Sequence, residues 1–307
     1  MPDGPPRGRI VWHELLTTEP EAAIAFYQHV IGWGSLVFAA DPPYRVWTMQ
    51  DVPMGGLTRM PAGAEAPPSW LPYVAVPDVD RTVEQAGRLG ARTLVRGTDI
   101  PNVGRYAVLG DPQGATFAVY KPSMPGTGSD DAVVGDFSWH ELATSDWKAA
   151  WEFYRALFGW EHASSFDMGE AGTYWEFRRG GGDRMLGGMF NRTGTDPAHW
   201  LCYVRVTDAD RAAALASRHG GKVVNGPMDV PGGDRVAMLA DPQGAAFAVH
   251  TPAAQAARPP KKKPATAGKA GKAKRTPAKR AAPRRRTSAK RRPPKKRAGP
   301  KTIRKKK

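Results

Sequence analysis

Hydrophobic and polar positions alternate along this chain in short runs broken by turn residues. Ile10–Leu16 reads as a β-run that is apolar on both faces and therefore largely buried. Glu19–Val30 predicts a helix, because Ala22, Ala23, Phe26, Tyr27 and Val30 fall on one face at 3.6-residue spacing and Gly32 closes it. Strand-like runs follow at Tyr44–Met49 and Gly55–Arg59. A second β-run, Leu71–Val76, leads into a second helix, Val79–Leu89, closed by Gly90. Two last strands, near Ala107–Leu109 and Thr116–Tyr120, flank Asp111-Pro112-Gln113-Gly114, where Pro sets φ and Gly supplies a positive φ. The expected unit is therefore β-α-β-β, with room for one more strand, written twice.

The whole pattern then returns. Trp12-His13-Glu14-Leu15 recurs as Trp139-His140-Glu141-Leu142, Phe26-Tyr27 as Phe153-Tyr154, and Gly32-Trp33 as Gly159-Trp160, all at an offset of 127. Trp70-Leu71-x-Tyr73-Val74 recurs at Trp200, and the Asp111 turn at Asp241, both at an offset of 130; Gly55-Gly56 recurs as Gly187-Gly188. Order and spacing hold over more than a hundred residues, so the body is a tandem duplication. Asp146–Phe158 repeats the first helix, with Trp151, Tyr154, Leu157 and Phe158 inward. The expected boundaries are a first domain at 8–121, a linker at 122–134, a second domain at 135–251 and a tail at 252–307.

The duplicated order of elements, the F-Y…G-W helix exit and the D-P-x-G hairpin resemble the vicinal oxygen chelate superfamily of glyoxalases, bleomycin-resistance proteins and extradiol dioxygenases. The resemblance covers about 8–121 and 135–251. It implies an α+β fold in which two βαβββ modules curve into a cup that holds the ligand, once per domain. It also implies where a metal would be held: seven residues before the acidic residue that opens each helix, and seven after the hairpin Asp. Those counts reach Trp12, Leu71 and Ala118 in the first domain, and Trp139, Leu201 and Ala248 in the second. None of these side chains is a metal ligand, so no metal and no cofactor is expected.

His13 and His140 stand one residue from the implied ligand position, which in a strand turns the side chain to the opposite face. Two readings stand: packed histidines under the helix, or a ligand or base in the cup. If Trp12 faces the cup, alternation brings Glu14 with it, and Leu71 and Tyr73 face inward from the next strand. The candidate ligand-binding set is therefore Trp12, Glu14 and Tyr73, matched by Trp139, Glu141 and Tyr203. Aromatic walls around one carboxylate suit a flat or cationic small molecule; the same side chains could instead fill the cup as core. Gly55-Gly56 and Gly187-Gly188 mark a bulge or a close backbone approach. Trp47 and Trp175 are candidates for the pocket edge, and Arg105 and Arg235 for an anion contact or solvated loop positions.

Charge adds a separate feature. The chain's 307 residues carry a formal net charge of +16, yet residues 252–307 hold 24 Lys and Arg and no Asp or Glu. The remaining 21 basic and 29 acidic residues give the body about −8. The tail is Lys, Arg, Pro and Ala with no aromatic residue, a composition that cannot bury enough apolar surface to order itself. It resembles linker-histone tails. Dense cationic charge binds phosphate backbones without sequence preference, with Arg284, Arg285, Arg286, Arg291, Arg292, Lys295, Lys296 and Arg297 as its densest stretch. One cysteine, Cys202, in an apolar run excludes an intrachain disulfide and reads as a buried thiol. No secretory signal and no apolar run of membrane-spanning length is present.

The expected function is thus a glyoxalase- or bleomycin-resistance-like small-molecule binder without the usual metal ligands, whose tail binds nucleic acid. Alternatives are a lyase, isomerase or oxygenase of the same superfamily using His13/His140 or Glu14/Glu141, and a nucleoid-associated structural protein. The expected setting is cytoplasmic or nucleoid-associated, with no membrane partner, as a monomer whose domains pair within the chain.

Overall fold

A computed structural model describes residues 7–40, 43–64, 66–124 and 132–253. The tail residues Arg284, Arg285, Arg286, Arg291, Arg292, Lys295, Lys296 and Arg297 lie outside them, as does much of the linker.

The first half builds β1 (Ile10–Thr17), α1 (Pro20–Val30), β2 (Gly34–Ala40), β3 (Pro43–Met49) and β4 (Val52–Arg59). It then repeats the scheme as β5 (Ser69–Ala75), α2 (Val79–Arg88), β6 (Arg92–Ile100), β7 (Gly104–Gly110) and β8 (Thr116–Pro122). The second half gives β9 (Phe137–Thr144), α3 (Trp147–Phe158), β10 (Glu161–Asp167), β11 (Thr173–Arg178) and β12 (Met185–Asn191). It ends with β13 (His199–Arg205), α4 (Ala209–Arg218), β14 (Lys222–Asp229), β15 (Arg235–Ala240) and β16 (Ala246–Thr251). Each half forms one eight-stranded sheet, in the orders β2-β3-β4-β1-β5-β8-β7-β6 and β10-β11-β12-β9-β13-β16-β15-β14. This is the α+β, two-cup architecture expected.

Helix ends follow local chemistry. The side chains of Asp78, Asp146 and Asp208 accept backbone N–H bonds from the first turns of α2, α3 and α4, which satisfies donors that no helix can satisfy internally. Gly159 closes α3 with φ of 70°. The edge strands β2 and β6 escape the periodicity argument. β6 is exposed along nearly its whole length, and β2 leaves Leu36, Val37 and Phe38 exposed, so neither shows the alternation of a half-buried strand.

The faces opposite the cups carry the core, and the core is shared between domains. Leu15, Phe26, Tyr27 and Trp33 of the first module, with Trp70 of β5, pack with Ala212, Leu239, Phe247 and Val249 of the fourth. Val79, Leu109 and Phe117 of the second pack with Tyr154, Phe158 and Trp160 of the third and with Trp200 of β13. Trp47 is fully buried in the first of these cores and Trp175 packs against the second, so neither edges a pocket: both belong to strand faces turned away from the cups.

The repeated motifs prove to be interdomain fasteners. Trp70 Nε1 donates to the Tyr27 hydroxyl at 2.8 Å, and Tyr27 donates to Asp241 Oδ2 at 3.3 Å, in the other domain's hairpin turn. The mirror chain runs from Trp200 to Tyr154 at 3.1 Å and from Tyr154 to Asp111 Oδ2 at 2.9 Å. The second oxygen of each Asp holds its own turn, accepting from the backbone N–H of Gln113 and Ala115, or of Gln243 and Ala245. Trp33 and Trp160 cross as well, donating to the carbonyls of Gly135 and Gly8 at 2.8 and 2.7 Å. Burial holds the Tyr27 and Tyr154 hydroxyls well above the usual tyrosine range, with the neighbouring Asp adding to the shift. Removing the Tyr154 hydroxyl strands a buried carboxylate oxygen and an indole N–H. Tyr154→Phe is therefore expected to lower unfolding free energy by about 1–3 kcal/mol. A urea-denaturation cycle with Asp111→Asn should be non-additive; additive losses would show the chain is not a coupled unit.

Candidate functional site: two cups with unequal floors

Alternation along β1 and β9 sorts the repeated tetrapeptide between two faces. Trp12 joins Leu71, Tyr73, Tyr106, Val108, Ala118 and Tyr120 on the first cup face. Trp139 joins Leu201, Tyr203, Val236 and Ala248 on the second. The six positions at which the resemblance implied metal ligands thus share the cup floors, three in each. Glu14 and Glu141 turn the same way and are nearly buried.

Both carboxylates are held by tyrosines. In the first cup the Tyr73 hydroxyl donates to Glu14 Oε2 and Thr58 Oγ1 donates to Oε1 at 2.6 Å, while Trp12 hydrogen-bonds Tyr44. In the second, Trp139 Nε1 donates to the Tyr174 hydroxyl at 2.9 Å and Tyr174 donates to Glu141 Oε2 at 2.9 Å. The Tyr203 hydroxyl reaches the same carboxylate. The glycine pairs make this possible. A Cβ on Gly188 would lie 2.1 Å from the Tyr174 ring, and one on Gly56 would overlap the Tyr44 hydroxyl, so only glycine lets each tyrosine lie across β4 or β12. The neighbouring Gly55 and Gly187 clear the carbonyls of His13 and His140 on the other face. The pairs mark close approaches, and a register irregularity adjoins each, between Gly55 and Pro53 on β4 and between Gly187 and Met185 on β12.

The second cup encloses a cavity of about 660 Å³. Trp139, Phe166, Tyr174, Phe190 and Tyr203 wall it, with Met168, Met185, Met228 and Met238 between them and Glu141 on its floor. Burial is the main cause that raises the Glu141 carboxyl above its ordinary value, and the Tyr174 and Tyr203 hydroxyls partly offset it. Of the predicted ligand-binding residues, Trp139, Glu141 and Tyr203 converge here, and Trp12, Glu14 and Tyr73 converge in the first cup.

Sequence reasoning passed over His250 and Asp234 on the same wall. His250 Nε2 lies 3.1 Å from Asp234 Oδ2, and its Nδ1 lies 2.7 Å from Ser138 Oγ. Burial lowers the His250 pKa against the opposing pull of Asp234. Ser138 lies outside the cavity wall, so this chain anchors the imidazole rather than preparing a nucleophile. Their counterparts in the first copy are Tyr120 and Gly104, so a search for repeats cannot find them. Departure from the repeat is the signal that would.

His13 and His140 are not in either cup. They face each other between the two sheets, Nε2 to Nε2 at 2.7 Å, with His13 stacked on Phe137. A catalytic role for them in the cup is therefore excluded by the one-residue step along the strand. Arg105 and Arg235 are solvent-facing, as the solvated reading expects, and each is held by two carboxylates rather than left open to an anion. Arg105 pairs with Asp80 and Asp99, and Arg235 with Asp210 and Asp229.

Comparison with known proteins matches this geometry. The family model described as Glyoxalase/Bleomycin resistance protein/Dioxygenase superfamily matches residues 136–249, and a Glyoxalase-like domain model matches residues 11–120. The chain belongs to this superfamily. Among its relatives is the Mycobacterium tuberculosis protein named "Putative glyoxylase CFP32", 34% identical over 250 residues, spanning 80% of this chain and 95% of the relative. The "Anthracycline biosynthesis protein DauV" of Streptomyces sp. strain C5 is 30% identical over 260 residues, spanning 79% and 92%. Two solved structures share the fold. One is the Mn(II)-bound glyoxalase from Novosphingobium aromaticivorans, with TM-score 0.58 and 15% identity over 80% of this chain and 82% of that one. The other is the 2,3-dioxygenase LapB from Pseudomonas sp. KL28, with TM-score 0.57 and 12% identity over 80% and 93%. No helix among the described residues is long and apolar enough to cross a membrane.

A carboxyl whose folded pKa is raised binds its proton more tightly folded than unfolded. Its ionisation therefore costs stability as pH rises above the unfolded value, through the folded one. Glu141→Gln is expected to remove that decline. Thermal melts of both proteins from acidic to neutral pH check it, and parallel curves would mean Glu141 ionises freely.

Proposed function

We propose that this superfamily member binds a flat aromatic, cationic small molecule in its second cup and holds nucleic acid through its basic tail. The cavity around Glu141 carries the first half of this reading. Aromatic and methionine side chains give a planar ligand dispersion contacts and ring faces, and a cation would draw the floor carboxyl into its charged form. Methionines adapt to ligand shape, which suits a sequestering site more than a tight catalytic one. The relative named for anthracycline biosynthesis makes a polycyclic aromatic amine a rational first probe.

The metal chemistry of the fold family does not fit the cup floors. Trp12, Leu71, Ala118, Trp139, Leu201 and Ala248 offer no ligand atom, since an indole N–H only donates. Among the described residues, the one group of three potential ligands lies outside both cups. A second reading has one observation behind it. A carboxyl raised by burial, on the floor of a cavity, is also what a general base requires.

Titrating the chain with planar aromatic amines should quench the tryptophan fluorescence of the cup and raise the melting temperature. Glu141→Gln should weaken a cationic probe about tenfold and a neutral isostere little. Equal affinity for both probes would remove the role given to the carboxylate, and turnover of a bound probe would favour the base.

For the tail, the support is charge. Residues 252–307 place 24 positive charges and no negative one on a single segment. The intact chain should bind duplex DNA with an affinity falling roughly a thousandfold between about 50 and 200 mM salt. A chain lacking residues 261–307 should lose that binding. Equal binding by the shortened chain would assign nucleic acid to the body instead.

A further inference from the structure

The histidines excluded from the cups form a site of their own. His13 on β1 and His140 on β9 are equivalent residues of the two copies, and they meet with Cys202 of β13 beside them. One nitrogen of each imidazole and the Cys202 sulfur all lie within 4.8 Å of one another. All three residues are buried, Cys202 completely. We propose that His13, His140 and Cys202 form a metal site between the two domains, for a thiophilic ion, Cu(I) by preference over zinc.

Three observations support it independently. The first is orientation. His140 Nδ1 lies 3.1 Å from the Leu186 carbonyl oxygen, so the Nδ1–H donates there and leaves the Nε2 lone pair pointing at His13. Protein imidazoles that bind metals are held this way, with the second nitrogen donating to a carbonyl. The second is distance. Ligand nitrogens sit about 2.0 Å from a bound ion, so at a trigonal angle the two Nε2 atoms would be about 3.5 Å apart. They need to part by less than about 1 Å from 2.7 Å. The third is position: Cys202 stands directly opposite His140 in the β9–β13 ladder, while the first copy has Pro72 opposite His13. Only one of the two equivalent positions carries a thiol, as one shared ion requires.

Charge selects the ion. Binding forms two metal–nitrogen bonds and one metal–sulfur bond, breaks the S–H bond and releases its proton to solvent. With Cu(I), the ion and thiolate sum to zero, which is the least costly state in a buried setting. Zinc would leave a buried positive charge and lack a fourth ligand, since the group has three members among the described residues. Soft thiolate with imidazole suits Cu(I) in any case.

The full chain, refolded anaerobically with Cu(I) and competed against a chromogenic Cu(I) chelator, should retain one ion per chain. X-ray absorption should show one sulfur and two nitrogen scatterers. Cys202→Ser should drop stoichiometry below about a tenth of an ion per chain and abolish the ion's stabilising shift, while Glu141→Gln in the cup should leave both unchanged. If His13→Gln fails to fold, Cys202→Ser and the wild-type absorption spectrum still decide. Zinc held with the same sulfur and nitrogens would sustain the site and correct the ion. No retained ion, or one indifferent to Cys202→Ser, would overturn the proposal and leave a plain imidazole–imidazole hydrogen bond.

Discussion

Two buried hydrogen bonds from a helix tyrosine to the other domain's turn aspartate organise this molecule. Each aspartate does two jobs. One oxygen closes its own hairpin by accepting two backbone N–H groups, and the other receives the tyrosine of the opposite domain. A turn that is locally correct is thereby tied to a docking that is globally correct. Because the bonds occur in both directions, each module's helix-side core is completed by a module of the other copy. Duplication and fusion turn what would be an exposed apolar face into an internal one.

That arrangement frees the other faces. With the cores placed behind the sheets, the concave sides need not be filled for stability, and the two copies have drifted apart there. Thr58, which donates to Glu14, has Phe190 as its counterpart beside the second cup's cavity. Tyr120 and Gly104 correspond to His250 and Asp234. On the second floor, burial raises the Glu141 carboxyl. On the proposed reading, the charge density of the tail would hold the cup close to nucleic acid.

The sequence by itself determined the repeat, the two helices per copy, the position of each turn and the faces of β1 and β9, because these follow from local periodicity and from turn chemistry within a few residues. Alternation tied Glu14 to the face of Trp12, but that this face lines the cup was implied by the family resemblance, and the place of His13 stood open between two readings. Edge strands β2 and β6 were not legible, since an edge strand exposed on both faces leaves no period to read. Only the tertiary structure decided what the conserved spacing of the two copies is for. Tyr27 finds Asp241 across 214 residues, and His13 meets His140 across 127. Periodicity carries no information about pairings at that range; they are fixed by how two sheets dock. The same docking places Trp47 and Trp175 in the core, and sets three potential metal ligands together between the two sheets.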